Sequence, residues 1–153
     1  MDLHVPKFSA GEFCQLTGTE STRLRDWRRR GFLNFIGQSM GERWVYSQRD
    51  VCIFSIAQTF RENGMDLGKS FWAAFCAMAF VLERFTSESS SKFILLSGFA
   101  SDAKRRMLPA RDLADLQKLM DEHGSTTVGD LVDIDALISQ LPESVVSSLK
   151  GSQ

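Results

Sequence analysis

The stretch Thr19-Glu-Ser-Thr-Arg-Leu-Arg-Asp-Trp-Arg-Arg-Arg-Gly-Phe-Leu33 decides how this chain reads. Five arginines fall between positions 23 and 30. Leu24 and Trp27 lie three apart, so a helix here has one apolar side for packing while the remainder stays polar. Thr19, Thr22, Arg23, Arg25, Asp26, Arg29 and Arg30 spread over that polar side. Guanidinium groups reach phosphate oxygens and the acceptor edge of guanine, and Thr or Asp can read other base edges. A merely solvated basic face is the competing reading, and the neighbouring segments turn the balance against it.

Upstream, Ser9-x-x-Glu12 has the spacing of a capping box and predicts a first helix with Phe13 and Leu16 inward and Gly18 as its turn. The arginine helix starts at Thr19 or Glu20 and stops at Gly31, where a residue free to adopt positive φ suits a C-terminus. Two helices joined by a short glycine turn describe a helix-turn-helix with the second helix as reader. Downstream, Asn34-Phe35-Ile36 and Arg43-Trp44-Val45-Tyr46 flank a glycine-bounded loop and predict a two-stranded wing with Arg43 available to a phosphate. Ser47-x-x-Asp50 opens another helix, with Val51, Phe54, Ile56, Ala57 and Phe60 as its core stripe, ending at Asn63-Gly64.

The formal net charge of −1 looks unsuited to a polyanion until it is divided. Residues 19–49 hold seven Lys/Arg against three Asp/Glu, a local +4, whereas residues 65–153 hold nine against twelve, a net −3. Binding electrostatics follow the local patch. Cys14, Cys52 and Cys76 are odd in number and far apart, which predicts buried small side chains in a reducing cytosol rather than disulfides or a metal centre. The N-terminus lacks the pattern of a signal peptide, and the longest apolar run, Phe71–Leu82, is short of the roughly 20 residues of a membrane span. A soluble, cytoplasmic protein is expected, and no cofactor is implied.

From Asp66 a helix is predicted to about Phe85, apolar on every face through Phe71–Leu82. Such a helix needs cover on all sides, so Phe71, Trp72, Phe75, Met78 and Leu82 are candidates for a domain or dimer interface. Thr86–Ser91 is polar and reads as a boundary. Beyond it, Phe93–Leu96 predicts a buried strand, Ala110–Glu122 an amphipathic helix and Thr127–Ile134 a second strand. Asp135 is placed as the cap of a short helix to Leu141, and Val145–Leu149 as a last helical turn. The expected fold is mainly α: a winged helix-turn-helix in residues 1–68, a long apolar helix in 69–86 and a small α/β appendage in 92–153. Catalysis finds little footing, since His4 and His123 are isolated; the acidic trio Asp130, Asp133 and Asp135 is read structurally rather than as a metal site.

The ordered series Phe8-Ser-Ala-Gly-Glu12, Leu16-Thr-Gly18, Leu24-Arg25-x-Trp27-x-x-x-Gly31-Phe-Leu33, Tyr46-Ser-x-x-Asp50-Val and Arg61-Glu-Asn-Gly64-Met-x-Leu67 resembles the MerR-type winged helix-turn-helix family from about Lys7 to Ser70. The resemblance implies a reader helix in the major groove and a wing on the flanking backbone. It implies further that Arg25 serves DNA binding, that Trp27 holds the place of an aromatic touching phosphate, and that Arg43 is the wing's basic contact; Trp27's position beside Leu24 favours burial instead, and Arg23 and Arg28–Arg30 are expected to join Arg25 and Arg43 in contacting phosphates. Two features depart from the family. Asp26 stands where an aromatic is usual, and the long dimerising helix with its effector-binding cysteines is not evident, so a metal- or redox-sensing role does not carry over. The leading expectation is a homodimeric, sequence-specific transcriptional regulator on a palindromic site, encoded by a bacterium or phage and associated with the nucleoid. An excisionase-like architectural factor and a protein-interaction module are the alternatives.

Overall fold

A computed structural model describes residues 2–88, 90–97, 106–122 and 129–151, so His123 and the start of the strand expected at Thr127 lie outside the described residues. The chain divides into two compact units: Met1–Phe75 together with Leu141–Gln153, and Cys76–Gln140.

In the first unit, β1 (Pro6–Ser9) leads directly into α1 (Ala10–Thr17), then α2 (Ser21–Arg29), β2 (Gln38–Met40), β3 (Arg43–Ser47) and α3 (Gln48–Glu62). Local chemistry sets the helix starts. Ser9 Oγ accepts from the Glu12 amide while Glu12 Oε2 accepts from the Ser9 amide at 2.7 Å, and Ser47 with Asp50 repeats the arrangement at the same 2.7 Å. Gly18, at φ 66°, ends α1 in the left-handed conformation that an L side chain resists.

β3 is the middle strand of an antiparallel sheet ordered β1-β3-β2. The expected strand at Asn34–Ile36 is instead a turn, because Ile36 donates to the Leu33 carbonyl and its side chain is buried. The hairpin strand begins at Gln38, and Met40 faces Arg43 across the two-residue loop Gly41-Glu42, with Gly41 at φ 64°. Lys7-Phe8 lie in a strand, since the backbone of β1 pairs with β3.

The all-round burial expected of Phe71–Leu82 belongs to α3. Every residue from Asp50 to Ala57 is buried, whereas α4 (Leu67–Thr86) exposes Ala79 and leaves Trp72, Phe75, Cys76, Phe80 and Leu82 half-covered. Phe54 is the centre of the first unit, with ring contacts to Phe13 at 5.1 Å, Trp27 at 5.9 Å and Phe71 at 5.4 Å. The C-terminal helix α7 (Glu143–Lys150) packs on α3 through buried Val145 and Leu149. Residues 141–151 therefore fold with the N-terminal unit and not with the appendage.

The second unit holds the end of α4, β4 (Phe93–Ser97), β5 (Arg106–Ala110), α5 (Leu113–Glu122), β6 (Gly129–Asp133) and α6 (Ile134–Gln140). Its antiparallel sheet runs β5-β4-β6, and α5 covers Phe93, Leu95 and Ala110 with Leu116. The helix expected from Ala110 starts three residues later, because the Ala110 carbonyl accepts the Lys92 amide as β5 ends. β5 itself had no alternation to betray it, and its Pro109 sits on an outer strand, where a missing amide costs little.

Asp135 is not the cap of α6. Asp133 accepts the Ala136 amide at 3.1 Å in that role, and Asp135 takes a two-point ion pair from Arg84, at 2.7 and 2.9 Å. Arg84's hydrogen bonds hold the Asp135 carboxyl below its ordinary 3.8 against the opposing pull of partial burial. A carboxyl with a lowered folded value stabilises above its unfolded value, and that contribution disappears as pH falls through the folded one. Because both groups are partly solvated, Asp135→Asn is expected to cost only about 0.5 kcal/mol at neutral pH. In urea denaturation the gap to wild type should close at acid pH; a gap that persists there would mean that packing, and not the ion pair, is what was lost.

Candidate nucleic-acid interface

α2 lies on the unit's surface with Leu24 and Trp27 buried beneath it. Trp27 is 6% exposed, set edge-on to Phe71 at 5.5 Å and tilted on Phe54, and the Arg61 guanidinium lies 4.9 Å from its ring centre. It is therefore a core residue, as its place beside Leu24 suggested, rather than an exposed aromatic of the kind the resemblance implied. Thr19 is also inside: its Oγ1 accepts from Gln58 Nε2 at 3.0 Å, and the same amide reaches the Thr17 carbonyl at 3.1 Å. That bond ties the helix-turn-helix turn to α3, and Thr19 leaves the list of base-facing residues.

The five arginines divide into different roles. Arg28 is half-buried, with its guanidinium 3.7 Å from the Trp44 ring centre, Nη2 donating to Tyr46 Oη at 3.3 Å and Nη1 donating to the Leu33 carbonyl. Arg29 and Arg30 reach Asp26 at 2.8 and 3.5 Å. Arg29's hydrogen bond, reinforced by Arg30, holds the Asp26 carboxyl below its ordinary range. The acid that would repel DNA is thus matched by two arginines, and the trio keeps a net positive charge. Arg23 and Arg25 are exposed, Arg23 lying 5.9 Å from the Trp27 ring centre.

Beside α2 an open cleft of about 430 Å³ is lined by Ser9, Ala10 and Gly11 at the start of α1, by Leu24, Arg25 and Arg28, and by Glu42, Arg43, Trp44 and Tyr46 of the hairpin. Three guanidinium groups against one carboxylate leave it cationic, and the α1 N-terminus adds partial positive charge. Among the described residues Arg25 and Arg43 have no ion-pair partner, so both remain open to an anion. Sequence reasoning missed Arg28's inward role and the cleft itself. The aromatic pair Trp44 and Tyr46, two residues apart on a strand and so on the same sheet face, was the available signal.

Cys14, Cys52 and Cys76 are free thiols. Cys52 is buried, which pushes its thiol up to about 11, and partial burial raises Cys14 and Cys76, which are half-covered rather than buried as expected. Of the residues expected at an interface, Phe71 packs within the first unit's core and Phe75 stacks on Phe35 at 4.6 Å; Met78 is buried, and Trp72 and Leu82 are half-covered. No helix among the described residues is long and apolar enough to cross a membrane.

Residues 8–69, less than half of the chain, match the family described as MerR HTH family regulatory protein. No curated protein matches the chain.

Proposed function

We propose, from a chain whose residues 8–69 carry a MerR-type helix-turn-helix, that the protein is a sequence-specific DNA-binding transcriptional regulator. The observation that carries this reading is the exposed cationic face of α2 continuous with the cleft that joins Arg25 to Arg43. In the bound state α2 lies in the major groove. Thr22 and Arg23, exposed in its first turn, meet base edges, where an arginine fork reads guanine. Arg25, Arg29, Arg30 and Arg43 meet phosphates, and Asp26 keeps Arg29 and Arg30 oriented. The β2–β3 hairpin acts as the wing on the adjoining backbone.

A homodimer reading two half-sites would give a palindromic operator. Genome-wide mapping with purified protein, followed by footprinting, tests the reading. One discrete palindrome beside a promoter is expected; tandem sites at a recombination junction would replace it with the excisionase-like reading, and a chain that binds no genomic fragment at low salt would end it.

A further inference from the structure

We propose that Arg28 is a positioning residue: it locks the β2–β3 hairpin onto the reader helix, so that the hairpin's phosphate contact through Arg43 depends on it. The inference rests on the DNA-binding reading above and names the device that couples its two halves. One guanidinium ties three successive parts of the chain. Its stem leaves α2, Nη1 holds the Leu33 carbonyl of the turn, and its plane faces Trp44 while Nη2 meets Tyr46 Oη on β3.

The seat is shaped for this group. Gly37 passes beside it at φ 79°, and a Cβ there would lie 2.8 Å from the Tyr46 ring and 3.0 Å from Arg28 Nη2. A glycine is needed on both counts, backbone conformation and space. No carboxylate among the described residues pairs with Arg28, and its buried Nε has no hydrogen-bond partner. An orphaned buried N–H is destabilising, so an apolar side chain of similar length would suit bare packing better. What the guanidinium adds is direction: a planar fork that stacks on one ring and donates to two oxygens fixes orientation in a way that neither an ammonium nor a methyl group can. Arg43 immediately precedes Trp44 on β3, so the strand whose aromatic is clamped is the strand that presents Arg43.

The test is a double-mutant cycle on the full chain, using its own selected duplex and a salt series. R28M with unchanged helical circular dichroism is expected to bind about tenfold more weakly than wild type, the scale of coupling between residues of one network. R28K, which keeps the charge without the fork, should not restore binding. R43A should lower the salt slope by about 0.9, the value of one phosphate contact. The R28M/R43A pair should bind no more weakly than R43A and show the same slope. Wild-type affinity in R28M would overturn the inference, as would multiplied losses with a second fall in slope, which would make Arg28 a phosphate contact in its own right. Should R28M lose its fold, R28K with R43A completes the same cycle. In each of these negative outcomes the wild-type chain still binds, so the DNA-binding reading stands; a wild-type chain that binds no duplex overturns both.

Discussion

Replacing Arg25 with glutamate is expected, on the proposed DNA-binding reading, to weaken binding to every DNA sequence roughly a hundredfold, because that reading gives Arg25 one phosphate contact and the variant sets a like charge against the backbone. Arg25 suits this role among the clustered arginines for reasons of geometry. Arg28 points inward to Trp44 and Tyr46, and Arg29 and Arg30 are engaged by Asp26. Arg25 is exposed, without an ion-pair partner among the described residues, and lines the cleft with Arg43. A phosphate contact carries no sequence information, so the loss should be uniform across duplexes, with the salt slope reduced by about one. Fluorescence anisotropy on specific and scrambled duplexes, at several salt concentrations, measures both quantities. Retained affinity with an unchanged slope would remove Arg25 from the interface.

For stability, the largest single effect is expected at Phe54. Phe54→Ala should cost about 3–5 kcal/mol, the range for deleting a fully buried aromatic side chain. The ring is 0% exposed and contacts Phe13 from α1, Trp27 from α2 and Phe71 from α4, so no single neighbour can move in to fill the void. Because Trp27 rests on Phe54, the variant should also loosen α2 and red-shift the tryptophan emission before global unfolding. Urea denaturation followed by circular dichroism and by fluorescence reads the two effects. A loss below about 1 kcal/mol would mean that the site collapses around the missing ring and that the core is organised elsewhere.

The order of the helices was legible because capping is a conversation between residues three apart. Ser9 with Glu12 and Ser47 with Asp50 each satisfy free amides at a helix start, and both appear in the sequence as a polar residue, a gap of two and an acid. The strand at Arg106–Ala110 was not legible. Its residues alternate neither in size nor in polarity, it contains a proline, and its pairing with Phe93–Ser97 is decided by a partner some way along the chain. The burial of the third helix was only half visible: a stripe through Val51, Phe54, Ile56, Ala57 and Phe60 was evident, but the covering of Ile53 and Ser55 depends on neighbours brought in from other parts of the chain.

The candidate interface divides along the same line. The sequence by itself determined where the basic helix begins and ends, that positive charge gathers around it, and that a hairpin follows, since charge density and turn chemistry are properties of neighbouring residues. Only the tertiary structure decided what each polar side chain does. Thr19 turns to Gln58 of α3, Trp27 to Phe54 and Phe71, Arg28 to Trp44 and Tyr46, and Asp135 to Arg84. Each of these partners lies well outside the segment in which the residue sits. A helical wheel shows which residues share a face, but whether that face meets water, a ring or a carboxylate is set by whatever folds against it.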